Sequence, residues 1–230
     1  MSNGIKKVFS EVPGTYDLLN HLLTFGLDVR WRAKAAEIAA VGGGTKWIDV
    51  CTGTGDMAIA LLSRADESTT VYVSDFSEPM LDKAKLKSET GRLQFVTADL
   101  RSLPFQDSSF DLVTISFATR NINTSIEHLC ECFSEIYRVL KPGGRFVNLE
   151  TSQPDSGLIR FLFHLYVRIF VKIAGRLISG SKIAYNYLAH TIPRFYTAEK
   201  LSDILLKTGF NEVNIYTMFM GISAVHRAVK

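Results

Sequence analysis

The chemistry in this chain starts at a carboxylate placed where a strand must end. The stretch WIDVCTGTGDMA (47–58) reads as an apolar strand carrying Asp49, then a turn through Thr52, Gly53, Thr54 and Gly55 into a helix. Glycines there let the backbone turn tightly and approach a ligand, while the helix start offers unpaired N–H groups. Asp75 follows 20 residues after Gly55, at the end of VYVSD, and Asp99 ends LQFVTAD. Three carboxylates closing three successive strands would face one sheet edge, and Asp75 stands where a ribose-binding acid belongs. The loop alone leaves two readings level, because Gly53-x-Gly55-x-x-Ala58 also satisfies the dinucleotide pattern with a ribose acid about 20 residues on. Each acid also has a plain alternative as a loop, cap or turn residue.

The elements that must position these acids follow from hydrophobic periodicity. Short apolar runs at 46–50, 71–75, 93–99, 110–116 and 145–150 alternate with helical patterns at 56–64, 77–87 and 126–140. This alternation predicts βαβ units, hence a doubly wound α/β fold: a mostly parallel sheet with helices on both faces. After Glu150 come a long helical stretch near 158–178, a helix over 198–208 and two strand-like runs, NEVNIYT and ISAVHRAV, that would add an antiparallel edge.

Composition bounds the rest. With 230 residues, 47% apolar and 21% charged, the chain suits one large domain and excludes disorder and a disulfide-stapled scaffold. Cys51, Cys130 and Cys132 form no CxxC pair, and the five histidines have no ligand spacing, so no metal is expected. The start lacks a signal-peptide h-region and no run is long and apolar enough to span a bilayer, so a cytoplasmic protein is expected. From Asp155 onward there are 10 Lys and Arg against 4 Asp and Glu, so the net charge of +3 gathers late in the chain. Arg160, His164, Arg168, Lys172 and Arg176 recur every four residues between apolar ones. That stripe over 157–178 fits a membrane-surface contact or a lid, and equally a helix packed on the sheet or on a second copy in a homodimer. Without aromatics interleaved on a strand platform, no nucleic-acid partner is expected.

The acids and the glycine loop together resemble the class I S-adenosylmethionine methyltransferases, a Rossmann-like, seven-stranded fold. Two longer blocks, YDLLNHLLTFGLDVRWR (16–32) and RVLKPGGRFVNLETS (138–152), closely resemble the signatures of the ubiquinone/menaquinone biosynthesis C-methyltransferases. FATRN (117–121) resembles that family's FGxRN segment, and the likeness runs from about Phe9 to Lys230. The resemblance implies S-adenosylmethionine as cofactor, held by Asp49, Gly53, Thr54, Gly55, Asp75, Asp99, Leu100 and Ser116. It implies a polyprenyl quinol as substrate, with demethylmenaquinol favoured over a benzoquinol; N- or O-methylation of another small molecule and a scaffold role are the rivals. One domain over 1–230 is expected, with a helical lid in 1–45 and a helical substrate cover in 155–197.

Departures from the family pattern are few. CTGTG replaces two adjacent glycines, so the Thr52 side chain is expected to turn outward; Asp28 stands where one signature has His, and His190 where a glutamate is usual. Ring methylation needs an electron-rich carbon, which a quinol supplies once a hydroxyl loses its proton. A phenolic pKa of about 10 calls for a nearby cation or base. Arg120 is the candidate cation, Asn121 a hydrogen-bond partner for the second oxygen, and Tyr16 with Asp17 a ring-orienting or proton-relaying pair. Arg120 as a salt-bridge partner, Asp17 as a cap and Tyr16 as core are the plain alternatives, and His190 is a further candidate base.

Overall fold

The computed structural model describes residues 21–87, 91–171 and 182–230. Tyr16, Asp17, Lys172 and Arg176 lie outside the described residues. The apolar runs form a seven-stranded sheet in the order β3-β2-β1-β4-β5-β7-β6. These are β1 (Lys46–Val50), β2 (Thr70–Asp75), β3 (Leu93–Thr97), β4 (Phe110–Ser116), β5 (Leu140–Thr151), β6 (Glu212–Met218) and β7 (Ser223–Val229). The first five pair in parallel, and β7 slots antiparallel between β5 and β6. Strand order reverses between β1 and β4, and at such a switch point the loops diverge and leave a crevice beyond the carboxyl ends of the strands.

The helices are α1 (Leu27–Ala40), α2 (Asp56–Leu62), α3 (Glu78–Lys87), α4 (Thr119–Ile122), α5 (Ile126–Val139), α6 (Gly157–Tyr166), α7 (Lys182–Thr191) and α8 (Ala198–Lys207). Period-two alternation along the strands sends side chains to two cores. Ile48, Val113 and Phe146 pack with α5 and α8, while Trp47, Leu112 and Val147 pack with α1 and α2. In α5, Leu129, Phe133 and Ile136 recur at helical spacing and are fully buried, each worth about 1.5–3 kcal/mol relative to exposure. Ser125 caps that helix by accepting the His128 backbone N–H at 3.2 Å, a contact typically worth about 1 kcal/mol.

The stretch expected as one helix over 158–178 is α-helical only through Tyr166 and continues as a π turn over Val167–Val171. Arg160 and Arg168 are both exposed on this stretch. No residue of α6 is buried, which rules out packing flat on the sheet. No helix among the described residues is long and apolar enough to cross a membrane.

Candidate functional site

β1 delivers Asp49 to the crevice with no solvent exposure. Its carboxylate accepts the Thr114 hydroxyl of β4 at 2.6 Å and the Thr52 hydroxyl of the loop. Thr52 therefore turns inward rather than outward, because a buried carboxylate needs every donor within reach. Burial pushes the Asp49 carboxyl up to about 7, although the Thr114 and Thr52 hydrogen bonds pull the other way. A folded-state value above the unfolded one of about 3.9 means that the fold keeps a proton the open chain has lost. Stability from this group is therefore complete below about pH 4 and is lost as pH rises to about 7, with no further loss above. Asp49→Asn keeps an acceptor for both hydroxyls, so its denaturation midpoint should fall less than that of wild type between those pH values. Parallel profiles would show that Asp49 ionises normally.

Gly53 adopts φ 57°, and its N–H donates to Asp75 at 2.9 Å. Asp75, at the end of β2, also accepts the Ser77 N–H at 2.8 Å, and burial raises its carboxyl above the usual range despite these bonds. Gly55 has a different task. At φ 85°, a Cβ there would come within 2.8 Å of the Ala84 side chain, so this glycine lets α2 approach α3. Thr54 is buried in the wall of the same cleft, whose rim also carries Phe76, Ser116 and Asn121.

The cleft continues into a second recess lined by Cys51, Phe76, Asp99, Leu100, Ile122 and His128. Asp99 lies here, but Arg101 grips its carboxylate with Nε at 3.1 Å and Nη2 at 2.8 Å, which holds it down at about 2. His128 does not face open solvent; its Nδ1 donates to the Ile122 carbonyl at 2.8 Å. Cys51 packs in the wall, where burial raises its thiol well above the ordinary value.

Beside the cleft is an apolar chamber of about 440 Å³. Its walls draw on distant segments, among them Leu23 to Arg32, Ile159 to Val167, and the β6–β7 turn with Phe219, Met220 and Ile222. Arg32, Phe117 and Asn121 line both spaces, so the chamber meets the cleft at these side chains. Arg120, buried on α4, reaches this wall with Nη1 3.4 Å from Thr151 Oγ1 and 3.8 Å from Glu150 Oε1. Arg120 Nε, Asn121 Oδ1 and Ser116 Oγ are buried without a hydrogen-bond partner. Native interiors seldom leave such groups unmet, so this corner is shaped for polar atoms that the described residues do not supply.

Two residues here escaped the sequence reading. Glu150, hidden inside an apolar strand, is 1% exposed and accepts the Arg120 backbone N–H at 3.0 Å and the Thr151 N–H at 2.8 Å. Arg32 donates to Asp28 at 2.6 Å, lies 3.8 Å from Asp56 and stands 5.2 Å from the Phe117 ring centre. His21, Asp28 and Asp56 approach one another closely, and the Arg32 guanidinium answers their charge. Burial opposes ionisation of Asp28, but hydrogen bonds from His21, Thr24 and Arg32 hold its carboxyl below the usual value. Arg32 is the one cation lining the cleft among the described residues. His190 is exposed and accepts from Arg194 Nη1 at 2.9 Å; it does not line the chamber.

The family model of the ubiE/COQ5 methyltransferase family matches residues 1–230. The chain belongs to that family. The methyltransferase is 36% identical over 227 residues to the ubiquinone/menaquinone biosynthesis C-methyltransferase UbiE of Desulfotalea psychrophila, covering 99% of this chain and 90% of that one. It is 39% identical over 221 residues to the demethylmenaquinone methyltransferase of Thermus thermophilus, covering 95% and 98%. Among solved structures, a SAM-dependent methyltransferase from Aquifex aeolicus shares the fold, with a TM-score of 0.59, 16% identity, and 86% and 88% coverage.

Proposed function

We propose that this methyltransferase moves a methyl group from S-adenosylmethionine to a ring carbon of a prenylated quinol in quinone biosynthesis, with demethylmenaquinol as the acceptor. The observation that carries the reading is the contact of two unlike spaces at Arg32, Phe117 and Asn121: a polar cleft at the strand ends and a large apolar chamber. The polar cleft suits S-adenosylmethionine. Its donor set offers Asp49 to an ammonium and Arg32 to a carboxylate, with Gly53 and Thr54 beside them. Asp75 faces the ribose hydroxyls, and Asp99 and Leu100 flank the adenine recess. Ser116 Oγ and Asn121 Oδ1, both without partners among the described residues, gain them when the cleft is filled.

When bound, S-adenosylmethionine supplies a sulfonium methyl open to attack by a carbon nucleophile. The chain's own part is to make and hold that nucleophile. Arg120 keeps a fixed positive charge where a quinol hydroxyl loses its proton to water, Asn121 hydrogen-bonds an oxygen of the ring, and the ring hydrogen that the methyl replaces leaves to water as a proton, restoring the aromatic ring. Trp31 and Phe117 give flat apolar walls, with ring centres 6.2 Å apart, and Leu188 and Ile192 extend the apolar lining for a tail. Segments within 1–45 and 155–197 serve as covers, through Leu23 and Phe25 on one side and Ile159 and Leu162 on the other. The near-complete mutual coverage with the Thermus thermophilus demethylmenaquinone methyltransferase supports the naphthoquinol ring. Arg160 and Arg168 are exposed, and each cation near an anionic leaflet contributes about 1 kcal/mol of attraction, which favours a chain working at the membrane surface.

Asp75→Ala should weaken S-adenosylmethionine binding by about 1.5–3 kcal/mol, the value of hydrogen bonds to a charged group; unchanged affinity by calorimetry would remove Asp75 from the cofactor site. The pathway assignment is tested by mass analysis of quinones in cells lacking the protein. Demethylmenaquinone should accumulate there, and an unaltered quinone profile would overturn the assignment.

A further inference from the structure

Three exposed apolar side chains near the chamber occupy backbone that apolar residues avoid. Phe219 and Met220 form the tip of the β6–β7 hairpin at φ 47° and 57°, closed by the Gly221 N–H donating to the Met218 carbonyl at 3.1 Å. Positive φ at both central positions is the geometry that Asn-Gly or Asp-Gly fills without strain. The third, Phe25, leads into α1 at φ 52°. Strain of this kind persists where function retains it. All three side chains point outward, with Phe25 79%, Phe219 50% and Met220 68% exposed.

Phe25, Phe219 and Met220 line the chamber while standing in solvent, as does Leu162 of α6, 53% exposed. The mostly apolar inner wall therefore continues into an outer apolar rim built from three segments. Phe170, 56% exposed and stacked on the chamber-lining Tyr166 with ring centres 5.2 Å apart, widens it, and Arg160 and Arg168 are exposed on the same helical stretch. Large exposed apolar surface flanked by cations matches a bilayer interface with anionic headgroups, where rings sink below the charged layer.

We infer that the β6–β7 hairpin tip, with Phe25 and α6, is a membrane-inserting rim that presses the chamber mouth against an anionic lipid bilayer. This deepens the membrane-surface reading of the proposed function: the cations attract the chain, and the rim sets its depth and orientation. A tail could then pass from acyl chains to chamber wall without crossing water.

The test uses the full chain with vesicles of phosphatidylcholine and phosphatidylglycerol, without quinol or cofactor, so failure of the quinol assignment cannot affect it. The double variant Phe219→Asn, Met220→Gly relieves the strained turn. It should melt at a higher temperature than wild type yet partition into vesicles about tenfold or more weakly. Its residual binding should keep the wild-type salt dependence, which Arg160→Gln with Arg168→Gln would flatten. Phe219→Trp should show tryptophan quenching beyond wild type on vesicles with brominated acyl chains. Wild-type partitioning by the folded double variant, or a vesicle-bound Phe219→Trp without added quenching, would overturn the rim. So would a wild-type dimer that ignores vesicles and is lost in the double variant, since the face would then join two copies.

Discussion

Arg120→Gln should lower turnover by roughly 10²–10³, as loss of a preorganised charge-stabilising donor does, while S-adenosylmethionine affinity changes little. Negative charge gathers on the quinol oxygen only as its proton leaves, so a fixed cation acts more on the transition state than on the bound substrate. The Arg120 side chain is 7% exposed, which places its charge where water screens it weakly. Glutamine keeps hydrogen-bonding capacity and loses the charge, so the comparison isolates the charge. Steady-state kinetics with calorimetry of cofactor binding decides the matter. A collapse of cofactor binding, or a large fall in thermal midpoint with unchanged turnover of the folded fraction, would make Arg120 structural.

The largest effect on stability is expected at Glu150. Its carboxylate accepts the Arg120 N–H at 3.0 Å, the Thr151 N–H at 2.8 Å and the Thr151 hydroxyl at 3.0 Å, and faces the Arg120 guanidinium at 3.8 Å. Glu150→Ala strands two backbone donors and a buried cation together. Breaking a buried pair from one side typically destabilises by about 3–5 kcal/mol, which for a chain of this size lowers Tm by roughly 10 °C. Glu150→Gln should recover part of this, because an amide oxygen still accepts the N–H groups but cannot balance the charge. A Tm shift below about 2 °C for Glu150→Ala would show that water takes over the carboxylate's role.

How much of this was legible in the sequence depended on whether a residue answered to periodicity. Asp49 and Asp75 stand at the ends of apolar runs, and parallel strands bring their carboxyl ends to one edge, so their convergence on the cleft followed from pattern, whereas Ser116 beside them was read only from the family resemblance. Thr52 did not: nothing in CTGTG says which way its hydroxyl turns, and the need of the buried Asp49 decided it. The helix carrying Arg120 and Asn121 is four residues long, too short to show a helical period. Glu150 hid in a strand read for its hydrophobicity. The chamber was illegible as a unit because Phe25, Tyr166 and Met220 come from segments far apart in the chain. The late helix was anticipated through Tyr166 but not the π turn that follows it, which carries no compositional mark. The hairpin tip shows the reverse case, since Phe219 and Met220 lack the glycine or asparagine that announces such a turn.

The central claim is methyl transfer to carbon. Incubating the full chain with S-adenosylmethionine labelled with carbon-13 in its methyl group and a short-tailed demethylmenaquinol, kept reduced, allows the product to be read by carbon NMR. The account predicts a labelled methyl bonded to the quinol ring carbon, with the label lost from the product when Arg120 is glutamine. A label on oxygen, or no transfer from a protein that binds S-adenosylmethionine, would contradict it.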